Sequence, residues 1–164
     1  MSIRILLLLL LFSCSNESYR WFEGSLDDAL TLIKDSDKII FLDFYSDGWG
    51  GCVRLDAETL SNKAVREFSN KNFISIKLKP WDKKNDSNLF DSFNGQAIPL
   101  LIFINNRNEE IDRILGFHPP DQYLEMINNI YDGNDTYLSL KNQYQDKEIN
   151  ASLLSKLAVK CSDN

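Results

Sequence analysis

The sequence predicts an α/β fold in which a sheet is covered by helices, and three neighbouring observations lead to it. Residues 39–45 form an apolar run of β-forming residues interrupted only by Asp43, which is typical of a strand buried on both faces. Residues 46–51 follow as a turn with three glycines, which reach backbone angles that other residues avoid. Cys52 then opens an amphipathic helix, where the partial positive charge of the helix start favours thiolate.

The flanking segments add helices and strands around this unit. Ser25 is a predicted N-cap, with Asp28 three residues later, for a first helix that repeats apolar residues at helical spacing. Phe73–Leu78 alternates like a half-buried strand, and a short helix is expected around residues 89–93. Trp21 precedes the first helix. We interpret it as a packing residue rather than a binding aromatic, because aromatics that flank an amphipathic helix usually serve the core.

A second diagnostic element lies in residues 96–104. Pro99 opens this apolar run, and a proline in a sheet is confined to the first residue of a strand or to an edge. The Asn-rich turn at 105–108 leads to a further strand over residues 110–117, so the two strands are predicted to form a hairpin. The two prolines at 119–120 then start a helix.

Residues 43–52 resemble the thioredoxin superfamily, in which a strand ending in Asp-Phe leads into Trp-Cys-x-x-Cys at a helix start. Asp43 lies nine positions before Cys52, where the family has its buried aspartate, and Cys52 matches the second, resolving cysteine. Without a gap, the position of the first, nucleophilic cysteine holds Trp49. Alternatively, Trp49 is the family's tryptophan and the nucleophilic cysteine has been deleted before Gly50. Under both alignments the first cysteine is absent.

The resemblance extends over residues 21–132 and implies a thioredoxin-like fold, with a central mixed sheet covered by helices and a short C-terminal helical extension. It further implies that Pro99 is cis and faces the motif, and that the backbone beside it, at Ile98, pairs with bound polypeptide. The expected substrate-binding residues are therefore Trp49, Ile98 and Pro99. Cys52 and Asp43 are the expected catalytic residues, because the family's buried aspartate accepts the proton of the resolving cysteine. Desolvation is expected to raise the pKa of that aspartate.

Two classes of function follow from the missing cysteine. A dithiol cycle at this motif is excluded, since its disulfide requires both cysteines. The first hypothesis is a non-redox module that binds protein or peptide clients in the groove around Pro99. The alternative is a thiol–disulfide oxidoreductase or monothiol redox protein acting through Cys52, although the family's second cysteine is usually shielded and a buried thiol reacts poorly. No cofactor is expected, and no metal either, because the single histidine, His118, has no ligand partner spaced around it.

Residues 1–13 are predicted to be a lipoprotein signal peptide. A single positive charge precedes an apolar run over residues 5–12 that is too short to span a bilayer. The sequence Leu11-Phe12-Ser13-Cys14 resembles a bacterial lipobox, which implies cleavage before Cys14, lipidation of its thiol and a membrane-anchored, extracytoplasmic chain. The alternative is an ordinary secretory signal with an incidental cysteine. Residues 14–20 then read as a polar tether.

The composition and the C-terminus complete the prediction. The chain of 164 residues suits one domain plus extras, and its net charge of −6 argues against a nucleic-acid partner, because phosphate binding needs clustered cations. Residues 133–164 carry the pattern of two short amphipathic helices. We prefer an appendage packed on the domain to the start of an incomplete helical repeat array. This extension holds Cys161, which would bond to Cys52 only if their Cα atoms lay within about 7 Å.

Overall fold

The computed structural model describes residues 17–81, 87–147 and 149–162. The predicted signal peptide and Cys14 lie outside the described residues. Four strands form one sheet in the order β2-β1-β3-β4. They are β1 (Ile39–Phe44), β2 (Phe73–Leu78), β3 (Leu100–Ile104) and β4 (Glu110–Leu115). Because β1 runs parallel to β2 and antiparallel to β3, the sheet is mixed, as predicted.

Helices cover both faces of this sheet. Those in the described part of the chain are α1 (Leu26–Ile33), α2 (Gly50–Arg54), α3 (Lys63–Asn72), α4 (Ser87–Ser92), α5 (Pro120–Asp132), α6 (Tyr137–Gln145) and α7 (Ala151–Ser162). The predicted capping box at the start of α1 is confirmed: the side chain of Ser25 accepts from the N–H of Asp28, and the Asp28 carboxylate accepts from the N–H of Ser25.

The helix after the glycine turn differs from its prediction at both ends. It begins at Gly50 rather than at Cys52, because the Trp49 carbonyl already accepts a helical hydrogen bond from the Val53 N–H at 2.9 Å. From Leu55 to Leu60 it continues as a π-helical turn, a wider winding that the apolar spacing did not predict.

Strand β1 lies at the centre of the core, and all six of its residues are buried. Successive side chains of a strand point to opposite faces, so Phe41 packs with the cluster under α3 and α5, whereas Leu42 and Phe44 pack with the cluster under α1 and α4. The Phe41 ring stacks on Phe103 of β3 with centroids 5.2 Å apart. Asp43 falls on the same face as Phe41, beside the π-helical turn.

The end of the predicted tether contacts the domain instead of extending into solvent. The Arg20 N–H donates to the Asn70 side chain, and the Asn70 amide donates to the Ser18 carbonyl, both at 2.9 Å. The Tyr19 and Trp21 rings stack with centroids 4.6 Å apart and pack against the core. Trp21 is therefore a packing residue, as predicted.

The C-terminal helices pack on the edge strand β4, so the extension is an appendage of the domain, as we preferred. Asp112 of β4 is 2% exposed, and it accepts a hydrogen bond from the Lys160 ammonium of α7 and from the Tyr137 N–H at the start of α6. Leu140 of α6 and Leu153 of α7 are buried. Within the described residues, no helix is both long enough and apolar enough to cross a bilayer.

Candidate functional site

The glycine turn places a tryptophan, not a thiol, at the start of α2. The turn closes through a hydrogen bond from the Trp49 N–H to the Ser46 carbonyl at 3.3 Å, and Gly48 adopts a φ of 75°, which favours glycine. Trp49 has extended backbone angles immediately before the helix, and 57% of the residue is exposed. The indole is therefore presented to solvent where an accessible thiol would be required for nucleophilic chemistry.

The thiol of Cys52 lies one helical turn further and is shielded. The residue is 2% exposed, and burial raises the pKa of the thiol above its ordinary value, although a hydrogen bond from the Ser46 backbone acts in the opposite direction. Asp43 raises that pKa further through charge repulsion. A buried thiol with a raised pKa is a poor nucleophile at neutral pH, because the thiolate is the reactive form.

Asp43 is buried, as predicted, and its carboxylate has few compensating contacts. The residue is 1% exposed, and neither carboxylate oxygen has a hydrogen-bond partner within the described part of the chain. Lys77 is a neighbouring cation, and its Nζ lies 3.7 Å from Oδ2. Desolvation raises the pKa of Asp43 from its ordinary 3.8 to about 7, and the attraction of Lys77 limits the rise.

Sequence reasoning missed Lys77 and Asp56, which complete this charged cluster. Lys77 is the β2 partner of Asp43 in the parallel register, and its Nζ lies 2.6 Å from both carboxylate oxygens of Asp56 in the π-helical turn. The ammonium also lies over the rings of Tyr45 and Trp21, at 4.5 and 5.0 Å from their centroids. Because Asp56 holds Lys77 more closely than Asp43 does, the buried carboxylate is only partly compensated.

Pro99 lies directly against the helix start. The Ile98–Pro99 peptide bond is cis, as the resemblance implied. A Cβ placed on Gly51 would lie 3.1 Å from Pro99 Cδ, so the glycine permits a close approach between α2 and the loop before β3. The Pro99 carbonyl accepts a hydrogen bond from the Gly116 N–H at 2.8 Å, which fastens this loop to the end of β4.

An open groove of about 360 Å³ runs between Trp49 and the loop before Pro99. Its aromatic wall consists of Trp49, Trp81 and Phe90, and the loop contributes Gln96, Ala97 and Ile98. Trp81 is 70% exposed and packs edge-on against Phe90 at 6.5 Å. The sequence pointed to Trp49 and Ile98 but missed Trp81 and Phe90, which come from a loop and a helix distant along the chain.

The remaining candidate residues do not line the groove. Cys161 is an exposed free thiol on α7, and Cys52 is also free, so the structure contains no bond between them. His118 places its Nε2 3.2 Å from the Leu115 carbonyl oxygen. Across the described ranges, no cluster of three or more histidine, cysteine or acidic side chains is arranged to hold a metal.

Comparison with known proteins identifies the family. The sequence model of a thioredoxin-like domain matches residues 26–131, more than half of the chain, and the chain therefore belongs to this family. Among curated proteins it is similar to the thiol:disulfide interchange protein DsbD of Haemophilus influenzae. The sequence of strain PittEE is 23% identical over 122 residues, which are 73% of this chain and 21% of that protein. For strain PittGG the identity is 26% over 103 residues. The chain thus spans about a fifth of the length of these relatives.

Solved structures show the same fold. A thioredoxin from Thermus thermophilus superposes with a TM-score of 0.62 at 18% identity, covering 72% of this chain and 91% of that one. A putative disulphide-isomerase from Bacteroides thetaiotaomicron gives 0.60 at 24% identity, covering 70% and 93%. The oxidoreductase DsbH gives 0.59 at 17% identity, covering 71% and 86%. The thioredoxin-like fold expected from the sequence is confirmed.

The burial of Asp43 predicts a pH-dependent stability. Between pH 4 and 7 the unfolded carboxyl ionises while the folded one keeps its proton, so the folded state loses relative stability as the pH rises, and above pH 7 the full cost remains. Asp43→Asn removes this titration. We expect the variant to exceed the wild type by about 2–4 kcal/mol in free energy of unfolding at pH 8 and to gain little at pH 4.5, measured by urea denaturation.

Asp47→Asn is the matched control, because Asp47 is exposed in the glycine turn that follows β1 and pairs with Lys79 at the surface. It should change the free energy of unfolding by less than about 0.5 kcal/mol at either pH. An equal effect of Asp43→Asn at both pH values would contradict a costly buried carboxylate.

Proposed function

We propose that this chain is a thioredoxin-like binding module that holds an extended segment of a protein or peptide partner in the groove beside Pro99, without a dithiol redox cycle. The observation that carries the proposal is the tryptophan that stands at the helix start in place of a nucleophilic cysteine. An exposed Trp49 stands there, and the thiol of the motif, Cys52, is 2% exposed with a raised pKa. The site therefore offers an open apolar surface but no accessible nucleophile.

The geometry of the groove supports a polypeptide ligand. Tryptophan side chains bury large areas on binding and are enriched among the residues that contribute most to protein interfaces. Trp49 and Trp81 supply two such side chains, and Ile98 adds a backbone segment to the lining of the groove. An extended peptide that pairs with this backbone gains affinity from main-chain hydrogen bonds, while its side chains meet the aromatic wall.

The binding proposal predicts that the tryptophans of the groove carry affinity. The probe is reduced, carbamidomethylated α-lactalbumin, an unfolded polypeptide without free thiols, titrated by calorimetry. We expect Trp49→Ala and Trp81→Ala each to weaken binding about tenfold or more, which corresponds to about 1.4 kcal/mol. Val159→Ala removes an exposed apolar side chain on α7 and should leave the affinity unchanged. Equal affinities for all four proteins would contradict the groove as the binding surface.

A second prediction separates the binding module from the redox alternative, which the similarity to a thiol:disulfide interchange protein raises. We expect negligible reduction of insulin disulfides by the wild type, because a resolving thiol alone cannot complete the cycle. Trp49→Cys should create a dithiol at the helix start and raise the rate, and adding Cys52→Ser should abolish that gain. Robust wild-type turnover that is lost in Cys52→Ser would establish a monothiol reaction through Cys52 instead.

We propose further that the chain works outside the cytoplasm as a lipoprotein, anchored to a membrane through Cys14. The support is the short apolar run that ends in a lipobox-like sequence at Cys14. Acyl chains at that position would hold the domain at a membrane surface while its globular part stays in water.

Lipidation predicts a defined mature N-terminus. Mass spectrometry of the protein extracted from bacterial membranes should show that residues 1–13 are absent and that acyl mass is attached at Cys14. Cys14→Ser should remove the acyl mass and release the protein from the membrane fraction. An unmodified Cys14, or cleavage at another residue, would contradict the lipoprotein proposal and favour an ordinary secretory signal.

A further inference from the structure

The loop that forms one wall of the groove is held from behind by a buried arginine. Residues 93–98 connect α4 to Pro99, and the last three of them line the groove. Arg113 lies on β4 with its side chain 5% exposed. Its Nη1 donates to the Phe93 carbonyl at 3.0 Å. The guanidinium therefore ties the sheet to the residue at which the loop begins.

Glu110 fixes the orientation of this guanidinium. The Nε and Nη2 groups of Arg113 donate to the two carboxylate oxygens of Glu110 at 2.6 and 2.7 Å, in a bidentate pair. With two of its nitrogens committed to Glu110, the planar group directs its third, Nη1, at the Phe93 carbonyl. A lysine ammonium lacks this fork and cannot satisfy both partners in the same geometry.

Apart from the bond to Arg113, the described hydrogen bonds of this loop lie near its two ends. At its start, Asn94 adopts a φ of 52° and the Gly95 N–H donates to the Phe90 carbonyl at 2.9 Å. A Cβ at Gly95 would lie 2.4 Å from the Phe90 ring, so this glycine is packed against the groove's aromatic wall. At its end, the Pro99 carbonyl is held by the Gly116 N–H.

A second, smaller cavity of about 90 Å³ lies behind the loop. Gln96 and Ala97 line it as well as the groove, and its other sides include Arg113 and Ser162, in the last turn of α7. The loop is thus a thin wall between two spaces. Displacement into the rear cavity would widen the groove, and the bond from Arg113 to Phe93 opposes that displacement.

We infer that Arg113 is a positioning residue for the groove: by holding the Phe93 carbonyl it sets the separation between residues 96–98 and Trp49, and with it the width open to a bound polypeptide. Arg113 does not line the groove itself and acts through the loop. The inference rests on the proposed function for its binding consequence, whereas the positioning of the loop is measurable without any ligand.

Hydrogen exchange of the full chain tests the positioning directly. In Arg113→Met we expect the hydrogen-bonded amides of Asn94, Gly95 and Gly116 to exchange at least tenfold faster than in the wild type, with α3 unchanged. Val65→Ala is the control, because it removes packing under α3 on the other face of the sheet. It should lower the global stability without selectively accelerating exchange in the loop. Uniform acceleration across the chain in Arg113→Met would overturn the inference.

A charge swap separates loop positioning from the ion pair itself. Glu110→Arg combined with Arg113→Glu restores an ion pair on β4 but places a carboxylate near the Phe93 carbonyl. We expect the denaturation midpoint to recover towards the wild type while exchange in the loop stays fast. Arg113→Lys, which keeps the charge without the fork, should give an intermediate acceleration if the swap fails to fold. A swap that restores protection of the loop would overturn the positioning role.

Binding supplies the second readout. For carbamidomethylated α-lactalbumin we expect at least a fivefold loss of affinity in Arg113→Met and in the charge swap, with no loss in Val65→Ala. Wild-type affinity in Arg113→Met, despite a faster loop, would overturn the link between the loop and the width of the groove. If the wild type itself fails to bind, the proposed function falls, and the exchange experiment still decides whether Arg113 positions the loop.

Discussion

The structure depends on a strand that is buried on both faces and carries a carboxylate in its interior. A charged group in that position is costly unless it is paired, and neither oxygen of Asp43 has a hydrogen-bond partner within the described residues. The parallel register of β1 with β2 places Lys77 opposite Asp43, and the π-helical turn supplies Asp56, which also binds the ammonium. Strand pairing, helix winding and the protonation of Asp43 are therefore coupled through one lysine.

The contacts of Lys77 also explain why Trp21, the residue after the predicted tether, packs against the domain. The indole of Trp21 lies beneath the Lys77 ammonium and beside Phe41, so the segment before α1 closes the charged cluster from the edge of the sheet. Asn70 adds two hydrogen bonds to the backbone of residues 18–20. A segment with this many contacts is part of the domain, whatever precedes it in the chain.

The parts that the sequence predicted are those with a local signal. The apolar run around Asp43, the capping box at Ser25 and the proline immediately before β3 each indicate their structure within a few residues. The pairing of Lys77 with Asp43 required the register between two strands, which no short window contains. Trp81 reaches the groove from a separate loop, so only the folded chain brings it to Trp49.

The backbone that builds the groove does not use the sulfur that the motif lacks. The helix start is set by the Trp49 carbonyl, which accepts from the Val53 N–H, and by the contact of Gly51 with Pro99. The hydrogen bond uses main-chain atoms, and the contact depends on the lack of a side chain at Gly51. An indole in place of a thiol therefore changes the chemistry available at the helix start without requiring another path for the chain. It also adds apolar surface at the point where the groove is open, which supports the proposed binding of a polypeptide.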